Sequence, residues 1–268
     1  MIRSRRFLGL SLVAAAVVGP LISSQVLAAE PDAFKLMKKS DDRHRLPSEQ
    51  IDVKMFLQKA GAEPSARKMR QIVAQDDKIG DRSWIRFEAP TNIKGTTFLS
   101  VEDLAKDEDE QWLYLPAFRK TRRIGSAELG DRFVGSDIYF EDLKRRHVED
   151  YSYKHIKVEK YQGQACWIIE MAPKSPKVKK ESPYGKSHVW LRKDNLLAVR
   201  YRIFDKRMKP LKEIILEDVK NVTGDVWRAD KTTLKDIQRK HRTILVVEKR
   251  KVNFDLKDGT FSRHNLEN

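Results

Sequence analysis

Cysteine is nearly absent: the chain contains one, Cys166. A lone thiol forms no internal disulfide, so the fold must be held by its core. Cys166 sits in Ala165-Cys166-Trp167-Ile168-Ile169, an apolar run that reads as buried strand. A nucleophilic thiol needs a nearby base and an electropositive, partly open setting, and these flanks offer neither. Catalytic signatures are missing as well. There is no G-x-S-x-G elbow, no H-E-x-x-H helix and no phosphate-cradling G-x-x-x-x-G-K-[ST] loop. The six histidines, His44, His147, His155, His188, His241 and His264, are scattered without a close pair, which argues against a metal centre. The chain does not read as an enzyme and no cofactor is expected. Gly/Ser linkers, low-complexity tracts and internal repeats are also lacking.

Long apolar runs are lacking too, with one exception. Arg3, Arg5 and Arg6 precede an apolar stretch from Phe7 to Leu21, broken by Pro20. Val26-Leu27-Ala28 before Ala29 fits a small-residue cleavage site. This is the layout of a secretory signal peptide over residues 1–28. The run is short for a bilayer span, and no cysteine follows the cleavage point to carry a lipid anchor. The mature chain, residues 29–268, is then expected in the periplasm as one domain. The Arg5-Arg6 pair hints at twin-arginine export, but the residues after it fit that signal only loosely, so Sec and twin-arginine export both stay open.

Positive charge is abundant: 54 Lys+Arg against 39 Asp+Glu gives +15, and loss of the three leader arginines would leave +12. A cytosolic chain of this charge would point to nucleic acid. An exported one meets little of it, so no nucleic-acid partner is expected. An anionic membrane surface or an acidic partner fits better. The cluster Lys174, Lys177, Lys179, Lys180 and Lys186, threaded with Pro173, Pro176 and Pro183, reads as an exposed loop.

The hydrophobic pattern is mostly that of strands. Ala33 to Arg43 reads as a short helix. Strands are expected over 52–59, 67–74, 83–89, 96–101 and 111–115, with the acidic run Asp107-Glu108-Asp109-Glu110 as a solvated turn. A clearer meander follows over 155–161, 165–171, 187–192, 197–204, 211–219, 232–239 and 243–252. Gln162-Gly163 and Asp194-Asn195 mark hairpins. Leu197, Val199, Tyr201 and Ile203 alternate with Arg200 and Arg202, as a half-buried strand should. Short strands at this spacing suggest a sandwich or barrel. Trp112/Tyr114 and Leu113/Leu115 are apolar on both faces, so both faces should be covered.

The most distinctive stretch runs from Gln111 to Leu143. It bunches Trp112, Tyr114, Phe118, Phe133, Tyr139 and Phe140 with Arg119, Lys120, Arg122 and Arg123, broken by Gly125, Gly130 and Gly135. That composition suits a surface meeting something amphipathic. Asp137, Glu141 and Asp142 could form a carboxylate site, but acids capping a helix start explain them more simply.

The order Gly95-Thr96-Thr97-Phe98-Leu99, Gln111-Trp112-Leu113-Tyr114-Leu115-Pro116, Arg119-Lys120-Thr121-Arg122-Arg123-Ile124, Gly135-Ser136-Asp137 and Glu141-Asp142-Leu143 resembles the outer membrane lipoprotein-sorting protein family of the LolA-like fold. The resemblance covers most of the mature chain. It implies a mainly β architecture: a strongly curved antiparallel sheet forming a half-open barrel, with helices or loops as a lid over a hydrophobic cavity. It further implies a carrier of lipid or of lipoprotein acyl chains, and an RND-type membrane exporter as a partner. On that reading residues 116–143 serve as lid. Trp112, Tyr114, Phe118, Phe133, Tyr139 and Phe140 line the cavity or its mouth, and Arg119, Arg122 and Arg123 meet a headgroup or partner. The alternatives are a non-enzymatic adaptor of such an exporter and, third, a lipid hydrolase.

Overall fold

The computed structural model describes residues 31–268, apart from positions 60, 107 and 268. The expected signal peptide, 1–28, lies outside the described residues. Helix α1 (Ala33–Arg43) starts where the Asp32 carboxylate accepts the Lys35 backbone N–H at 3.1 Å, a side-chain N-cap. The chain then enters a first meander: β1 (Ser48–Lys59), β2 (Ser65–Ala74), β3 (Arg82–Ala89), β4 (Thr97–Asp103), β5 (Glu108–Leu115) and β6 (Lys120–Ile124). A second meander comprises β7 (Tyr151–Tyr161), β8 (Gln164–Pro173), β9 (Tyr184–Arg192), β10 (Ala198–Asp205), β11 (Pro210–Thr223), β12 (Val226–Asp236) and β13 (His241–Val252). A short helix α2 (Pro176–Glu181) interrupts it between β8 and β9.

The two meanders join through β1 and β13, giving one thirteen-stranded sheet, antiparallel throughout, with β6 and β7 at its edges. The sheet curves without closing, so the architecture is the half-open barrel that the resemblance implies. Its edges are consecutive in sequence. Residues 125–150, here termed the strap, therefore run from one edge to the other. They do so as four 3₁₀ turns laid against the concave face.

Register fixes which side chains face inward. Val53 opposes Met69, Met69 opposes Phe87, Ile85 opposes Phe98, and Phe98 opposes Leu113. These inward residues form the main core with Leu129, Phe133, Ile138 and Phe140 of the strap. Phe133 has no solvent exposure, and its ring centroid lies 5.7, 5.3 and 5.9 Å from those of Phe87, Phe98 and Phe140. On the second meander the same face is covered by α1. Ala33, Leu36 and Met37 pack on Ile169, Met171, Val189 and Leu191.

The convex face of the first meander is covered by the C-terminal tail, which accounts for the two-sided apolar pattern. Trp84 donates its Nε1–H to the Asn265 carbonyl at 3.4 Å, and Leu266 is fully buried. Arg263 sits 4.8 Å from the Trp112 ring centroid.

Two local expectations need correction. The acidic run is not a turn: Asp109 and Glu110 lie in β5 opposite Glu102 and Val101, and the chain turns at 104–106 instead. Asp109 is held there by Lys144 at 2.8 Å, so an acid that looks solvated has a cation waiting across the fold. The basic, proline-threaded segment is not all loop either. Ser175 caps α2, Val178 packs on the core beneath α1, and Lys186 lies in β9 paired with Glu170 at 2.7 Å.

Candidate ligand-binding site

The strap divides at about residue 143 into two parts of different character. The first is pinned to the sheet by buried polar contacts from both meanders. Lys212 of β11, only 1% exposed, donates from Nζ to the Asp142 carboxylate and to the Asp137 carbonyl at 3.3 Å. Its ammonium lies 4.0 Å from the Tyr139 ring centroid. Tyr184 of β9 donates to Asp142 at 2.8 Å. Burial pulls Lys212 below its ordinary pKa, and the Asp142 carboxylate opposes that shift.

Asp137 is gripped in the same way. Thr243 and His241 of β13 reach its carboxylate at 2.7 Å each. Arg132 donates to buried Asp236 of β12 at 2.6 Å. From the first meander, Arg67 donates to the Val134 carbonyl, and Gln111 donates to the Phe140 carbonyl at 3.0 Å. Buried polar groups of this kind are costly unless satisfied. These contacts form only when strap and sheet are in register, so they specify the strap's position, although Gln111 Oε1 and Arg132 Nε stay buried without a partner.

The second part, 144–150, is cationic and borders open space. Lys144 pairs with Asp109, and Arg145 pairs with Asp41 at 2.5 Å and with Asp81 at 3.4 Å. His147 contacts the Glu102 carboxylate, and that hydrogen bond raises its pKa above the ordinary value. Arg146 is different: among the described residues it makes no ion pair, and it hydrogen-bonds the side chain of Tyr151, whose ring centroid lies 5.8 Å from its Cζ. A cavity of about 260 Å³ lies between this part of the strap and the inward face of β2 to β4, lined in part by Gln71, Val73, Ser83, Ser100, Arg145 and Arg146. A second, of about 210 Å³, lies toward α2 and is lined by Glu141, Arg146, Tyr151 and Val178 among others. Burial raises the pKa of Glu141.

Of the aromatics singled out from the sequence, Phe133 and Phe140 pack together in the main core, whereas Tyr139 lies in a separate cluster with Ile203 and Leu211, stacked on Tyr184 at 5.9 Å. Trp112 and Tyr114 alternate with inward Leu113 and so face the convex side. Phe118 is 69% exposed. Arg119, Arg122 and Arg123 are exposed at the β6 edge, Arg122 on Glu128 and Arg123 within 3.8 Å of Glu110. Asp142 does cap a turn, accepting the Tyr139 N–H at 2.8 Å, but Asp137 and Asp142 also hold the strap. Lys212 and Arg146 were not anticipated. Lys212 had a legible signal, since it alternates into phase with Ile214 and Leu216 on the inward face. Arg146 had none. Among the described residues, no three His, Cys, Asp or Glu side chains gather as a metal site.

A family model described as "Uncharacterized protein" matches residues 80–268. No curated protein matches the chain. Among solved structures, an outer membrane lipoprotein-sorting protein domain from Vibrio parahaemolyticus is 27% identical with a TM-score of 0.81, covering 88% of this chain and 98% of that one. A DUF1329 family protein from Desulfovibrio piger is 24% identical with a TM-score of 0.80, covering 87% and 97%. A LolA superfamily protein from Nitrosomonas europaea shares the fold at 16% identity, with a TM-score of 0.68 and coverage of 87% and 98%.

Two expected outcomes follow from the contacts of the two parts of the strap. Lys212→Met strands Asp142 in the core and should cost about 3–5 kcal/mol in urea unfolding. Adding Asp142→Asn should cost less than the sum of the two single changes. Additive losses would show that the two groups do not act as a pair. The second concerns pH. Because the folded-state pKa of His147 is raised, its contact contributes fully below the unfolded value of about 6.5 and is lost as pH rises through the folded value. Thermal melts from pH 5.5 to 8.5 should show the native chain losing stability relative to His147→Gln over the upper part of that range. Parallel pH profiles would contradict the assignment.

Proposed function

The chain belongs to the family matched over residues 80–268 and has a LolA-like fold; from that premise we propose that it is a periplasmic carrier, similar to outer membrane lipoprotein-sorting proteins, that binds a lipid or lipidated protein on its concave face. One observation carries this reading. Between the strap and α1 the inward face keeps apolar side chains only partly covered: Ile51, Ile214, Leu245 and Val247 from the sheet centre, with Tyr153 and Tyr201 beyond them. A carrier needs such a surface. Each CH₂ of an acyl chain moved out of water contributes about 0.8 kcal/mol, and an incompletely covered face lets cargo leave again. The mature chain on this reading is the single domain 29–268, released after signal-peptide cleavage.

The lining set differs from the sequence expectation for a geometric reason. Phe133, Tyr139 and Phe140 belong to the strap and are buried where it packs on the sheet, so they leave cargo little surface. Trp112, Tyr114 and Phe118, with Arg119, Arg122 and Arg123, form an outward group at the β6 edge. That group is suited to an anionic membrane surface or a partner protein. A second reading, an adaptor of an RND-type exporter that carries nothing, is favoured by how completely the strap fills the concave side of the first meander.

A paired substitution separates the two. Leu245→Asp places a charge on the concave face, whereas Trp112→Arg places one on the convex face. In uptake of labelled phospholipid from vesicles, followed by native mass spectrometry without detergent, Leu245→Asp should lower retained lipid several-fold and Trp112→Arg should not. No uptake by the unaltered chain would favour the adaptor. Equal loss in both folded variants would remove the concave face as the site.

A further inference from the structure

Arg146 is half-buried and, like Arg67 and Arg82, makes no ion pair among the described residues. The cavity of about 260 Å³ that it borders is also walled by four acids, and each is already engaged. Asp81 accepts from Arg45 at 2.7 Å, Asp109 from Lys144 at 2.8 Å, Asp142 from Lys212, and Glu102 contacts His147. Two guanidiniums of that wall are left without an ion pair among the described residues: Arg82, which lies over the Phe261 ring at 5.1 Å, and Arg146. The nearest company of Arg146 is aromatic. Tyr151 lies beneath it, and Tyr201 links the core under α1 to the cluster of Ile203 and Leu211. Burial is the largest influence on Arg146 and acts against its charge. The Asp142 and Glu141 carboxylates act the other way, and the guanidinium stays cationic.

Asp142 and Glu141 attract this cation from beyond contact distance, and an anion arriving beside it would add a direct ion pair. A guanidinium presents two parallel N–H donors that fit a phosphate or carboxylate. The partly covered apolar surface of the sheet centre lies on the same concave face. We propose that Arg146 anchors the anionic headgroup, phosphate or carboxylate, of the amphiphile whose chains lie along that face. The inference rests on the carrier reading and deepens it: the cargo class becomes anionic lipid, and the headgroup contact moves from the exposed β6 arginines to the interior.

The test compares two probes with identical acyl chains, phosphatidic acid and diacylglycerol, presented to the mature full-length chain, with inorganic phosphate as a third. The unaltered chain should bind phosphatidic acid at least about tenfold more tightly than diacylglycerol. Arg146→Gln should erase that preference while leaving diacylglycerol binding unchanged. Arg146→Lys, which keeps the charge but not the fork, should retain part of it. Replacing Arg119, Arg122 and Arg123 together by Gln should leave the preference intact. Equal affinity of the unaltered chain for the two lipids would overturn the anchor while leaving the carrier reading standing. Loss of both lipids in folded Arg146→Gln would reduce Arg146 to a structural role. Binding of inorganic phosphate alone, lost in Arg146→Gln and with neither lipid bound, would assign the site to free phosphate. No binding of any probe would remove the carrier reading itself.

Discussion

The structure depends on one connection. A flat sheet of thirteen strands would hold its edge strands roughly 55–60 Å apart. Those edges, β6 and β7, are joined by residues 125–150, which spend their length in compact 3₁₀ turns rather than in reach. The connection can be this compact because the sheet curls its edges toward each other. The concave face, the covered core of the first meander and the gap left beside α1 all follow from that geometry.

Apolar burial alone would press the strap onto the sheet without fixing where it lies. Phe133 and Phe140 supply the burial, and the pins supply the register. Lys212, His241, Thr243 and Asp236 come from the second meander, whereas Arg67 and Gln111 come from the first. A strap shifted by one residue would leave several of them buried and unmatched, at about 1–3 kcal/mol each. The contrast with residues 144–150 is physical. There the ion pairs are nearer to solvent, His147 responds to pH, and Arg146 is left over. Firmness therefore lies in the first part of the strap and adaptability in the second, next to the partly covered apolar surface.

Much of this was legible beforehand, and the limits have causes. The helix over Ala33–Arg43 and nearly all the strands of both meanders follow from alternation and turn residues, because those signals are local. The half-open barrel came from the order of motifs between Gly95 and Leu143. Side-chain direction within that region did not. Trp112 and Leu113 are equally apolar, and which one faces inward is set by pairing with β4, which no single strand reveals. The short strand β6 carries Thr121, Arg122 and Arg123, and it reads as loop because only its edge position gives it a partner. Asp109 looked like part of a solvated turn because Lys144, thirty-five residues on, supplies its counter-charge. Arg146 looked like one more surface arginine in a basic chain, since a charge is recognised as unmatched only once its neighbours are known.

Hydrogen exchange read by mass spectrometry, on the chain with and without bound lipid, tests the central claim most directly. If the buried pins hold the strap, amides of 129–143 should exchange as slowly as those of β1 and β13, with lipid or without. Amides of α1 and of 144–150 should exchange faster in the free chain and slow down when lipid is bound. Fast local exchange across 129–143, suppressed by lipid, would instead make the whole strap the moving lid and contradict the account.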